Sequence, residues 1–98
     1  MKTRYRILWT DHALTELSHT TEYLRLNFSD KEIHRLGREI ESVLSYISQH
    51  PRAYPQSQQQ AGVRRAVVAK FNNLYYRVDE EKMQIEILSF FSNRQESR

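Results

Sequence analysis

VRRAVVAKFNNLYYRVDEEKMQIEILSFFSNRQ, residues 63–95, divides into three apolar runs of strand length. Residues 63–69 are rich in β-branched side chains, residues 74–78 hold Leu74, Tyr75, Tyr76 and Val78, and residues 85–91 are almost all apolar or aromatic. Their length and composition predict strands rather than helices. Asn72-Asn73 separates the first two runs, and asparagine tolerates the left-handed backbone that tight turns use. Asp79-Glu80-Glu81-Lys82 separates the last two and is too charged to be buried. The product is a three-stranded antiparallel meander.

In the third run, alternation sends Ile85, Ile87, Ser89 and Phe91 to one face and Leu88 and Phe90 to the other. Both faces are then apolar, which predicts cover on both. Helices from the first half of the chain can cover one; the sheet's own curvature, neighbouring side chains or a partner must cover the other. If the cover is a partner, the isolated chain is expected to be poorly soluble or to dimerise through residues 85–91.

Upstream, Tyr5, Ile7 and Trp9 alternate with Arg4, Arg6 and Leu8, predicting a first strand that joins the meander in a four-stranded antiparallel sheet. Thr10 or Asp11 can cap a helix over residues 11–27, where Ala13, Leu17, Leu24 and Phe28 recur at helical spacing. Ser29 and Glu32 fit a capping box, with Phe28 and Ile33 placed for a hydrophobic staple. A second helix follows, with Ile33, Leu36, Ile40, Val43, Leu44 and Ile47 as its stripe, and it must end before His50-Pro51. Gly37 interrupts it, which suggests a close approach of the two helices. So short a connection makes an antiparallel helical hairpin, and only the sheet can cover its apolar stripes. Residues 52–62, with a proline and a glutamine run, form an exposed loop.

Ninety-eight residues suit one α+β domain spanning residues 1–98. No apolar run reaches the roughly 18 residues of a membrane span, and residues 1–9 lack a signal peptide's apolar centre, so a cytoplasmic protein is expected. The chain has no cysteine, which excludes disulfides and thiolate metal sites. Residues 1–50 carry seven Lys/Arg and seven Asp/Glu, whereas residues 51–98 carry eight against five. Between Ser42 and Val78 no acidic residue interrupts Arg52, Arg64, Arg65, Lys70 and Arg77. A basic surface on the strands would attract a phosphate backbone or an acidic protein.

The four histidines lack the spacing of a metal site, and the two glycines cannot form a phosphate-binding loop, so no metal or cofactor is expected. Acid–base chemistry on RNA could use Arg64, Arg65, Arg77 and Arg94 against phosphate and Tyr75 or Tyr76 for a proton. Strand tyrosines are, however, usually half-buried, and strand arginines usually face water.

The order strand, helix, helix, meander, with VRRAVV, LYYRVD and IEILSFFSNRQ, resembles the RelE/ParE superfamily of toxins from type II toxin-antitoxin systems. The resemblance spans nearly the whole chain, from the strand ending at Trp9 and the helix start at residues 11–13 to the His50-Pro51 turn and Asn93-Arg94-Gln95. It implies a β-α-α-β-β-β fold, growth inhibition, a role in plasmid stabilisation and neutralisation by a cognate antitoxin. RelE-branch members cleave mRNA on the ribosome. They carry an arginine early in the middle meander strand, another past the last strand, and a tyrosine or histidine in the tail. Here Asn73 holds about the first position, Arg94 the second, and no tyrosine or histidine follows Tyr76. That departure favours the ParE branch, which inhibits DNA gyrase by binding. The expected surface for target or antitoxin is Arg64, Arg65, Arg77, Phe90, Phe91 and Arg94. Under the endonuclease alternative, Arg64, Arg94 and Tyr76 would be catalytic. A third possibility is an inactive member that keeps only the antitoxin interface.

Overall fold

The structure, a computed structural model, describes residues 4–92. The elements are β1 (Arg6–Trp9), α1 (Asp11–Asn27), α2 (Asp30–Gln49), β2 (Arg64–Val68), β3 (Asn72–Asp79) and β4 (Gln84–Ser92). One sheet of order β1-β4-β3-β2 carries the helical hairpin on one face, with α1 against β4 and α2 against β2 and β1. Leu24, Leu36, Ile40 and Ile47 of the helices meet Ala66, Val68, Leu74, Tyr76, Ile85, Ile87 and Phe90 of the sheet in a single apolar core.

The sheet is mixed, not wholly antiparallel. The β2–β3 and β3–β4 ladders are antiparallel as expected, but β1 runs parallel to β4, with Ile7 opposite Ile85 and Trp9 opposite Ile87. This makes β4 a central strand. The four-residue β1 covers only its first half, and α1 takes over from there. The Thr10 hydroxyl donates to the Ile87 carbonyl at 2.9 Å while accepting from the Ala13 amide at 3.1 Å, so one side chain caps the helix and fastens it to the strand.

The apolar run in β4 is explained by a bulge. Tyr75 pairs with Ser89 and Tyr76 with Ile87, leaving Leu88 as an extra residue that reverses the alternation. Ile85 and Ile87 before it and Phe90 after it therefore all enter the helix-side core, and all are fully buried. Phe90 does not reach the opposite face, contrary to the expectation that it would supply binding area. Only Leu88 and Phe91 remain there as half-buried apolar side chains of β4.

Three local expectations also change. The β2–β3 turn is built by Ala69 (φ 51°) and Lys70 (φ 76°), both left-handed, while Asn72 and Asn73 are buried in β3. Asn72 instead steadies the turn from inside the ladder, donating from Nδ2 to the Val68 carbonyl at 3.0 Å. Helix α2 starts where predicted, but the Ser29 side chain makes no capping bond; the Glu32 amide donates to the Ser29 carbonyl at 3.0 Å. Phe28 turns its ring toward Tyr23, with centroids 6.1 Å apart. Gly37 is exposed, and a Cβ there would meet nothing within 4 Å, so no close helix approach requires it.

Candidate functional site

The residues expected to form one basic, aromatic surface are divided between the two sides of the sheet. Arg64 and Tyr76 are register partners and lie on the helix side. Tyr76 is fully buried, and its hydroxyl donates to the Pro51 carbonyl at 2.9 Å. Burial pushes that hydroxyl up to about 12, outweighing the opposite pull of Arg64. Arg64 Nη1 donates to the Tyr54 carbonyl at 2.6 Å and to the Arg52 carbonyl at 3.4 Å. The two side chains thus hold residues 51–54 against the end of the sheet. That segment carries Tyr54, whose ring lies edge-on to Tyr46 at 6.1 Å, and Arg52, which pairs with Glu80. The Tyr76 hydroxyl is thus turned to the backbone and stays protonated at neutral pH, and Arg64 Nη1 is engaged by two backbone carbonyls.

Arg65 and Arg77 lie on the outer face of the sheet. Arg65 donates to Asn73 Oδ1 at 3.2 Å, and Arg77 forms a cross-strand ion pair with Glu86 at 2.8 Å. Phe91, opposite Asn73, belongs to the same face. On this face an open groove of about 560 Å³ is lined by Tyr75, Arg77, Leu88, Ser89 and Phe91, with Ser57, Gln59 and Gln60 of the long loop also on its lining. The loop is tied down at its base: Gln56 bridges Arg64, the Ser57 amide donates to the Val63 carbonyl at 2.6 Å, and the Arg65 amide donates to the Pro55 carbonyl at 3.1 Å. Arg94, the remaining expected residue, lies outside the described residues.

One residue that was not anticipated from the sequence also lines the groove. Glu16 of α1 reaches it beside the bulge, where its Oε1 accepts from the Ser89 hydroxyl at 2.7 Å and from the Phe90 amide at 2.8 Å. His12 Nε2, one helical turn earlier, lies 3.4 Å from the same oxygen. The carboxylate thereby satisfies a backbone amide that lies beyond the end of β1. A signal was present in the sequence: Glu16 stands three residues after Ala13 and four before Thr20, both buried, so it borders the apolar stripe. No cluster of three His, Cys, Asp or Glu side chains able to hold a metal occurs among the described residues.

A helical hairpin on one face of a mixed sheet of order β1-β4-β3-β2 is the α+β fold of RelE/ParE-type toxins. The chain shares it with the chromosomal ParDE toxin-antitoxin system from P. aeruginosa, at a TM-score of 0.74 and 15% identity over 91% of this chain and 96% of that one. It is likewise similar to the RelBE2 toxin-antitoxin complex from Mycobacterium tuberculosis, at a TM-score of 0.66 and 17% identity over 94% of each chain. No family model and no curated protein matches the sequence.

Proposed function

We propose that this chain is the toxin of a type II toxin-antitoxin system, acting in the cytoplasm as one domain, neutralised by a cognate antitoxin and ParE-like in mechanism. It binds a macromolecular target, DNA gyrase, rather than cutting mRNA. The observation that carries the mechanistic choice is the position of Tyr76 and Arg64: a phenol buried on a backbone carbonyl and a guanidinium engaged by two others make a structural brace. The outer face, with Arg65, Arg77, Tyr75 and Phe91, combines charge with aromatic area as binding surfaces do. A second reading, ribosome-dependent mRNA cleavage, draws support from the groove, where Glu16, paired with His12 on α1, shares the lining with Arg77 and Tyr75.

Purified chain assayed in gyrase supercoiling beside ribosome-dependent mRNA cleavage separates the two. Lost supercoiling with intact message is the expected result; cleaved message with active gyrase would overturn it and direct attention to Glu16 and His12. If neither activity appears and induced expression leaves growth unchanged, the fold serves only to bind antitoxin. Rescue of growth by co-expressing the neighbouring open reading frame tests the antitoxin itself.

A further inference from the structure

A cleft of about 150 Å³ opens where the hairpin end of the helices meets the β2–β3 turn. Leu24, Leu36 and Ala69 give it apolar walls, while Arg35 of α2 and Lys70 of the turn bring two cations to it. Both cations are exposed, and neither takes part in an ion pair among the described residues. Lys70 is held there by a backbone conformation, φ 76°, that side-chain-bearing residues rarely adopt, and Ala69 before it shares that strain at φ 51°. A tight hairpin turn itself calls for successive left-handed residues, and here the turn carries a lysine to the mouth of the cleft.

The polar groups around the cleft narrow the choice of occupant. Thr20 donates to the Glu16 carbonyl and Asn72 donates to the Val68 carbonyl, so these hydroxyl and amide donors are directed within the fold. Arg35 and Lys70 are the charged donors that face an incoming group, with the Ser92 hydroxyl beside them; one cation is a planar fork and the other a point charge, and both suit a carboxylate. Glu32 also lines the cleft, so two positive charges face one negative. That balance accepts a single negative charge and opposes the doubled charge of a phosphate group. The apolar walls call for an aliphatic neighbour beside the acid.

We propose that this cleft anchors an acidic side chain of the antitoxin, flanked by an aliphatic residue, and this rests on the toxin-antitoxin reading above. The test measures the affinity of the growth-rescuing antitoxin polypeptide for the wild-type chain, Arg35→Ala, Lys70→Asn and Glu32→Gln. Asparagine tolerates the left-handed backbone at position 70, and thermal melts verify that each variant folds. Loss of either cation weakens binding about tenfold, more at low salt than at high, whereas Glu32→Gln tightens it about threefold. Affinities unchanged by all three substitutions would overturn the cleft assignment alone; no binding to the wild-type chain would overturn the antitoxin reading with it. If the isolated chain forms a dimer that Arg35→Glu dissociates, the cleft belongs to a second copy and the proposal fails.

Discussion

Gly37 and Tyr76 show how little a residue's type says about its use before its surroundings are known. Gly37 lies in the middle of α2 on the exposed side, with open space where a Cβ would be. Alanine there should raise stability by about 1 kcal/mol, because glycine keeps more backbone freedom in the unfolded chain, and should raise the melting temperature by roughly 4–8 °C. An unchanged or lowered melting point would mean that the glycine is needed for something the fold alone does not explain. Tyr76 carries a pH dependence. Its hydroxyl is pushed up to about 12 in the folded chain from an ordinary value of 10. The unfolded chain therefore loses this proton first as pH rises, so the tyrosine's contribution to stability is complete below pH 10 and is lost progressively toward pH 12. Tyr76→Phe should remove this part of the alkaline destabilisation while costing about 1 kcal/mol at neutral pH for the lost bond to Pro51. Denaturant melts across that range, wild type against variant, check both signs.

The β4 strand depends on a helix for half of one edge. Among the described residues no strand pairs with it on the β1 side beyond Trp9, and Glu16 supplies the acceptor that the Phe90 amide requires. Glu16→Ala should cost about 2–3 kcal/mol, since it leaves a part-buried amide and the Ser89 hydroxyl without their acceptor. Glu16→Gln, which keeps a carbonyl oxygen in place, should cost distinctly less. A double-mutant cycle with Ser89→Ala measures the coupling, and an additive result would show that the carboxylate acts on the amide alone. The same bulge explains why the apolar run could be recognised as a strand while its faces could not be assigned. One extra residue, Leu88, moves Phe90 from the expected outer face into the core.

For the molecule as a whole, the division of arginines between the two sides of the sheet matters more than their number. Arg65 is exposed on the outer face, and its side chain donates to Asn73, so reversing its charge should disturb function more than folding. Arg65→Glu is predicted to change stability by less than about 0.5 kcal/mol and to reduce growth inhibition at least tenfold. Growth inhibition undiminished by this change would move the proposed binding surface elsewhere. Arg64→Ala should show the reverse pattern, a loss of stability through release of residues 51–54, with activity reduced only as far as the folded fraction falls.

The order and type of the elements, the helix starts at Thr10 and Ser29 and the stop at His50-Pro51 followed from the amino-acid sequence, because they rest on local periods, on the cap that Thr10 supplies and on the exclusion of proline from helices. Periodicity reports which residues alternate, but it carries no information about which strand lies beside which. The parallel docking of β1 on β4, the bulge at Leu88, the left-handed turn at Ala69 and Lys70 and the delivery of Glu16 to the sheet all depend on contacts between distant parts of the chain. So does the separation of Arg64 and Tyr76 from Arg65 and Arg77: neighbours in a strand point to opposite faces, and only packing against the helices decided which face was buried.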